Sequence, residues 1–175
     1  MDNRKKVKDI GFLGMNSIYS LGPPVDVRLF FDCIRFFVVP KYSKEDWGLV
    51  TDRLYKRYVR FEDISETKRL FEIIREEFLK ISSNEINWTK DFLNGNIVTK
   101  LDLKSTTLLN LFARYFWAFD KHMEFVDFSV KSKLDYYTPI KIGRAEITWS
   151  IYENGRPLAE YDELEGEPFW NRADL

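Results

Sequence analysis

Cysteine and histidine are almost missing from this chain: Cys33 and His122 are the single examples of each among 175 residues. One cysteine excludes a disulfide within the chain, and the composition points to a reducing compartment, the cytoplasm. One cysteine and one histidine, 89 positions apart, do not make the closely spaced ligand set that zinc requires, so neither metal nor cofactor is expected. A Cys33–His122 dyad is the remaining nucleophile–base pairing. Cys33 lies in the run Leu29-Phe30-Phe31-Asp32-Cys33-Ile34, where a thiol is expected to be buried and inert. His122, between Lys121 and Met123, reads as a solvated or capping residue near a helix end. Glycine is sparse too. The eight glycines are scattered, and they form neither of the glycine-rich phosphate cradles nor the nucleophile elbow of the α/β hydrolases. No apolar run approaches the about 20 residues of a membrane span. The charged start Met1-Asp2-Asn3-Arg4-Lys5-Lys6 is not followed by the apolar stretch of a secretory signal. The absences together describe a cytoplasmic, non-catalytic protein with no membrane partner.

Aromatic residues are in excess: fifteen Phe, nine Tyr and five Trp, 17% of the chain. Such rings fill cores, and they also anchor interfaces. The net charge of −1 gives no global field for nucleic acid, but the charge is unevenly spread. Residues 1–142 carry 24 basic and 20 acidic side chains, whereas residues 143–175 carry three basic and eight acidic ones. A positive body with an acidic end suits a protein that meets a basic partner; the plainer reading is a solvated acidic terminus.

The length fits one domain, residues 1–175, with residues 1–6 read as disordered. Residues 7–15 read as an edge strand, and Gly22-Pro23-Pro24 as a breaker, with Asp26 capping the segment after it. Val27, Phe30, Phe31, Ile34 and Phe37 or Val38 keep helical spacing up to Pro40; a buried strand over residues 35–39 competes, because Phe36-Phe37-Val38-Val39 is rich in strand formers. Residues 47–61 are ambiguous, with strand-like alternation. Leu70, Ile73, Ile74, Phe78 and Ile81 mark the clearest helix, over residues 66–81. Residues 82–104 read as loop with a possible hairpin at Asn94-Gly95. A second, long helix starts from a Ser105 cap, its stripe Leu108, Leu111, Phe112, Tyr115, Phe116 and Phe119 continuing through Met123, Val126 and Val130. Two short strands, around Ile140–Ile142 and Ile147–Ile151, are expected to flank a turn at Gly143-Arg144, with another turn at Asn154-Gly155. The expected fold class is α+β: two to three helices packed on a small antiparallel or mixed sheet.

Three stretches could meet a macromolecule. Glu160, Asp162, Glu163, Glu165 and Glu167 are dense enough for a partner-binding loop or a loose cation site, though they lack the EF-hand pattern; a solvated loop is the alternative. Tyr161, Phe169 and Trp170 beside them could anchor a partner, or tie the tail to the domain. Arg4-Lys5-Lys6 with Lys8, and Arg53, Lys56, Arg57 and Arg60 interleaved with Tyr55, Tyr58 and Phe61, combine charge and rings as single-strand binders do. The near-neutral total charge argues against nucleic acid as the partner.

Two segments carry a resemblance. Residues 26–55 include Leu29-Phe30-Phe31-Asp32-Cys33-Ile34-Arg35-Phe36-Phe37-Val38-Val39-Pro40 and Lys44-Glu45-Asp46-Trp47-Gly48. The closing segment is Arg156-Pro157-Leu158-Ala159-Glu160-Tyr161-Asp162-Glu163-Leu164-Glu165-Gly166-Glu167-Pro168-Phe169-Trp170. With the helix after the first, they resemble bacterial immunity proteins of polymorphic toxin systems, above all those of contact-dependent growth inhibition. The resemblance implies a protein that binds a cognate toxin domain, frequently a nuclease, and blocks it without cofactor or catalytic group. It transfers no contact residue. The partner-binding candidates Glu160, Tyr161, Asp162, Glu163, Glu165, Glu167 and Trp170 come from their chemistry.

Overall fold

The computed structural model describes residues 9–13, 18–56, 58–86, 106–131, 140–144, 152–153, 156–157, 168 and 170. Within them the fold is α+β, as expected. Strand β1 (Ile10–Leu13) turns back antiparallel into β2 (Ile18–Gly22), a strand that the breaker at Gly22-Pro23-Pro24 had hidden. The two strands approach closely at Gly11, where a Cβ would stand 2.4 Å from the Tyr19 carbonyl oxygen, so only glycine fits. Gly22 ends β2 at φ 115°, a conformation that glycine adopts without steric cost.

Helix α1 (Pro24–Cys33) starts with Pro24 at its first turn, where the missing N–H costs nothing. Asp26 sits in that first turn rather than at the cap; Pro23 is the N-cap and supplies no side-chain bond. The helical reading of residues 27–38 holds and the strand alternative at 35–39 does not. However, the last turn widens into a π-helix over Ile34–Val38 before a short 3-10 turn, Val39–Lys41. A second π-helix, Leu49–Leu54, replaces most of the strand-like reading of residues 47–61; only β3 (Tyr58–Val59) is strand. Alternation there reflected burial on two sides of a wide turn: Leu49, Val50, Leu54 and Tyr55 are all buried.

Helix α2 (Ile64–Lys80) runs close to the expected limits, with Asp63 as N-cap. Thr107, not Ser105, caps the next helix: its hydroxyl accepts from the Asn110 N–H at 3.2 Å. That helix is broken at Phe112 into α3 (Leu108–Leu111) and α4 (Ala113–Lys131). Strand β4 (Ile140–Arg144) passes straight through Gly143-Arg144, where a turn was expected. Gly143 pairs with Gly11 and Arg144 with Ile10, so the ladder to β1 holds those residues extended. On its other edge β4 pairs with β3, Tyr58 opposite Lys141. The sheet is antiparallel, in the order β2-β1-β4-β3. A separate ribbon pairs β5 (Tyr152–Glu153) with β6 (Arg156–Pro157), Glu153 opposite Arg156, on either side of Asn154-Gly155. The expectations at residues 1–6, 94–95 and 147–151 lie outside the described residues.

Much of the aromatic excess is core. Phe30 of α1 is its hub, with ring centroids of Tyr115 at 4.5 Å, Phe112 at 5.3 Å, Phe116 at 5.8 Å and Phe78 at 6.0 Å. Phe71 of α2 stacks on Phe119 of α4 at 3.7 Å. Helices α2 and α4 run antiparallel, clasped on the surface by Arg75–Asp120 at 2.9 Å and Lys68–Asp127 at 3.1 Å.

Candidate partner-binding surface

Cys33 is fully buried, and burial, with the Asp32 carboxylate adding to it, pushes its thiol well above the ordinary range. His122 corrects the sequence reading: it is neither solvated nor a cap but fully buried on the inner face of α4. Its ring stacks on Phe12 of β1 at 5.5 Å and on Phe125 at 6.1 Å, with Tyr19 of β2 at 5.8 Å. Among the described residues neither ring nitrogen has a hydrogen-bond partner, and Cys33 is not one, so the two do not form a dyad. Burial alone lowers the imidazole pKa to about 3, which keeps the ring neutral.

In the basic–aromatic stretch, two of the three rings are closed to a stacking base. Tyr55 and Tyr58 are buried, Lys56 is paired with Asp52 at 2.9 Å, and Arg60 with Asp63 at 3.4 Å. Arg57 lies outside the described residues, as do Glu160, Tyr161, Asp162, Glu163, Glu165 and Glu167. Trp170 is described, and it is wholly buried. A partner could not reach it, so of its two readings the one in which it ties the tail to the domain fits. Its indole N–H donates to the Tyr55 carbonyl at 2.8 Å, and its ring meets the Tyr55 ring edge-on at 5.4 Å.

Around that anchor the geometry is unusual. The Arg35 guanidinium lies 4.2 Å from the Tyr55 ring centroid, while Phe31 packs on the same ring at 5.0 Å. Arg35 also bonds Asp32 at 2.8 Å and donates to the Thr51 carbonyl at 2.6 Å. Arg35 belongs to the first π-helix and Thr51 to the second, so one side chain joins the two widened turns. A π-turn frees a carbonyl from the regular ladder, and such turns are frequent at functional sites. Nothing in the composition announced this; the signal available was Arg35 standing alone among apolar residues.

A second cluster closes the neighbouring end of α2. Glu77 is buried, and it accepts from Lys41 at 2.8 Å, Tyr42 at 2.8 Å and Lys80 at 2.7 Å. The two ammonium groups, with help from the phenol, hold its pKa at about 2.

Helix α4 also presents an outer face. Trp117 and Phe128 are 54% and 59% exposed, unusual for rings of this size. Their spacing puts them about 20° apart around the helix, opposite the buried stripe. They were legible in the sequence as the two aromatics out of phase with Tyr115, Phe119 and Val126. Among the described residues no helix is long and apolar enough to cross a membrane, and no cluster of three or more His, Cys, Asp or Glu could hold a metal ion. Comparison with protein-family models, with curated proteins and with solved structures finds no match to the chain.

Proposed function

We propose that this is an immunity protein: a non-catalytic cytoplasmic inhibitor that binds the toxic C-terminal domain of a cognate contact-dependent inhibition effector, most simply a nuclease. The observation that carries the reading is the contact between Tyr55 and Trp170. The two segments bearing the resemblance, 115 positions apart at this contact, meet there in a buried hydrogen bond and a ring contact. The acidic run Glu160–Glu167 therefore ends three residues before a fixed point on the body, beside the Arg35-joined turns. A nuclease domain is basic where it meets phosphate, and a carboxylate-rich segment of its inhibitor would speed encounter and fix orientation. Binding needs no cofactor and no reactive group.

The test is protection. A candidate toxin domain from a reading frame adjoining this gene is expressed in bacteria with and without the protein. The expected result is relief of growth arrest, and a one-to-one complex on purification. A folded protein that neither binds the domain nor relieves the arrest would overturn the reading.

A further inference from the structure

Beyond inhibition, we propose that the chain pairs with a second copy of itself through the outer face of α4. Four residues run along that face opposite the core: Trp117, Lys121, Glu124 and Phe128. Their spacings of four, three and four residues form a heptad seam. Trp117 and Phe128 are exposed at its ends, and Lys121 and Glu124 between them make an ion pair within the helix at 3.0 Å, the lysine side chain part-exposed and the glutamate exposed.

The order of the four is what selects the partner. Trp117 and Phe128 are centred on the midpoint between His122 and Met123, and so are Lys121 and Glu124. A two-fold axis through that midpoint lays a second α4 antiparallel on the first. Trp117 then faces Phe128 of the other copy, and Lys121 faces its Glu124, each contact occurring twice. This is the self-complementarity that an isologous interface demands, in layers, charge and register together. A basic or acidic foreign partner would be opposed by one of the two central charges; a second copy satisfies both. The seam is three turns long and smaller than the about 800 Å² per partner of a standard interface, so the dimer is expected to separate below roughly 10 μM.

The experiment needs only the purified chain. Sedimentation is measured from roughly 1 μM to 1 mM, a span that brackets an association of this size. The parent's mass should rise towards that of a dimer. Lys121→Glu and Glu124→Lys each set like charges against each other across the axis, and each should remain monomeric. An equimolar mixture of the two restores opposite charges at both central layers, and should associate again. Both substitutions exchange residues of good helix propensity, and unchanged melting confirms the fold. A parent monomeric throughout, single variants that associate like the parent, or a mixture that stays monomeric would each overturn the dimer. Weakened toxin capture by Trp117→Ala, with the parent still monomeric, would give the face to the toxin instead. The sedimentation readings do not depend on whether the chain neutralises a toxin.

Discussion

His122 carries the sharpest consequence at the scale of one residue. Its pKa falls from an ordinary 6.5 in the unfolded chain to about 3 in the fold, because burial leaves the imidazolium without water or partner. Acid therefore favours the unfolded chain, which takes up the proton first. The stability tied to a neutral ring is fully present above pH 6.5, and it declines as pH falls from 6.5 towards 3, by about 1.4 kcal/mol for each unit. Glu77 has the same sign lower down: its contribution is present above the ordinary carboxylate value of 4.5 and is lost as pH falls from there to about 2. Between pH 6.5 and 5 the histidine acts alone of the two. Denaturant melts of the parent across that interval should show a falling midpoint, and His122→Phe should flatten it. An unchanged slope in the variant would mean that the ring finds a proton acceptor in the fold. The sequence hid this residue, because Lys121 beside it and an expected helix end nearby suggested solvent or a cap, while its own helical phase matched Phe119 and Val126.

At the scale of elements, α1, α2 and α4 are held by one aromatic cluster, and the break at Phe112 aims two helices at it. Phe112 packs on Phe30 at 5.3 Å, on Tyr115 at 5.4 Å and on Phe78 at 5.8 Å. Phe112→Ala should cost about 3–5 kcal/mol in a thermal or denaturant melt; an unshifted melt would place the ring outside the core. The periodicities of α2 and α4 were legible because a helix buried along one face repeats every three to four residues. The π-turns were not. They are joined by one long-range bond, Arg35 to the Thr51 carbonyl, that no local pattern encodes. Strand β4 misled for a related reason: Gly143-Arg144 has turn chemistry, yet pairing with Gly11 and Ile10 of β1 holds it extended. Of the candidate site, the acidic run and the role of Trp170 as a tie were readable as alternatives. The outer rings of α4 needed attention to phase and not to hydrophobicity.

For the whole molecule, charge segregation is the property that partner binding would use. Replacing Glu163, Glu165 and Glu167 by Gln removes three of the acidic charges of residues 143–175 and leaves the Trp170 anchor in place. Association with the toxin domain should slow, and its dependence on salt should flatten, while dissociation changes little. An association rate and salt slope equal to the parent's would mean that the run does not steer the partner. The sheet order β2-β1-β4-β3 has a different consequence, for synthesis. The chain leaves the ribosome from its N-terminus, so β1, β2 and β3 emerge long before the strand that belongs between β1 and β3. Helical contacts around Phe30 are assembled from earlier segments, and the sheet is completed only when residue 144 is free. Until then β1 and β3 each present an unpaired edge to any strand nearby. A nascent chain stalled before Ile140 therefore exposes strand edges that the finished sheet covers, and insertion of β4 is the step that closes them.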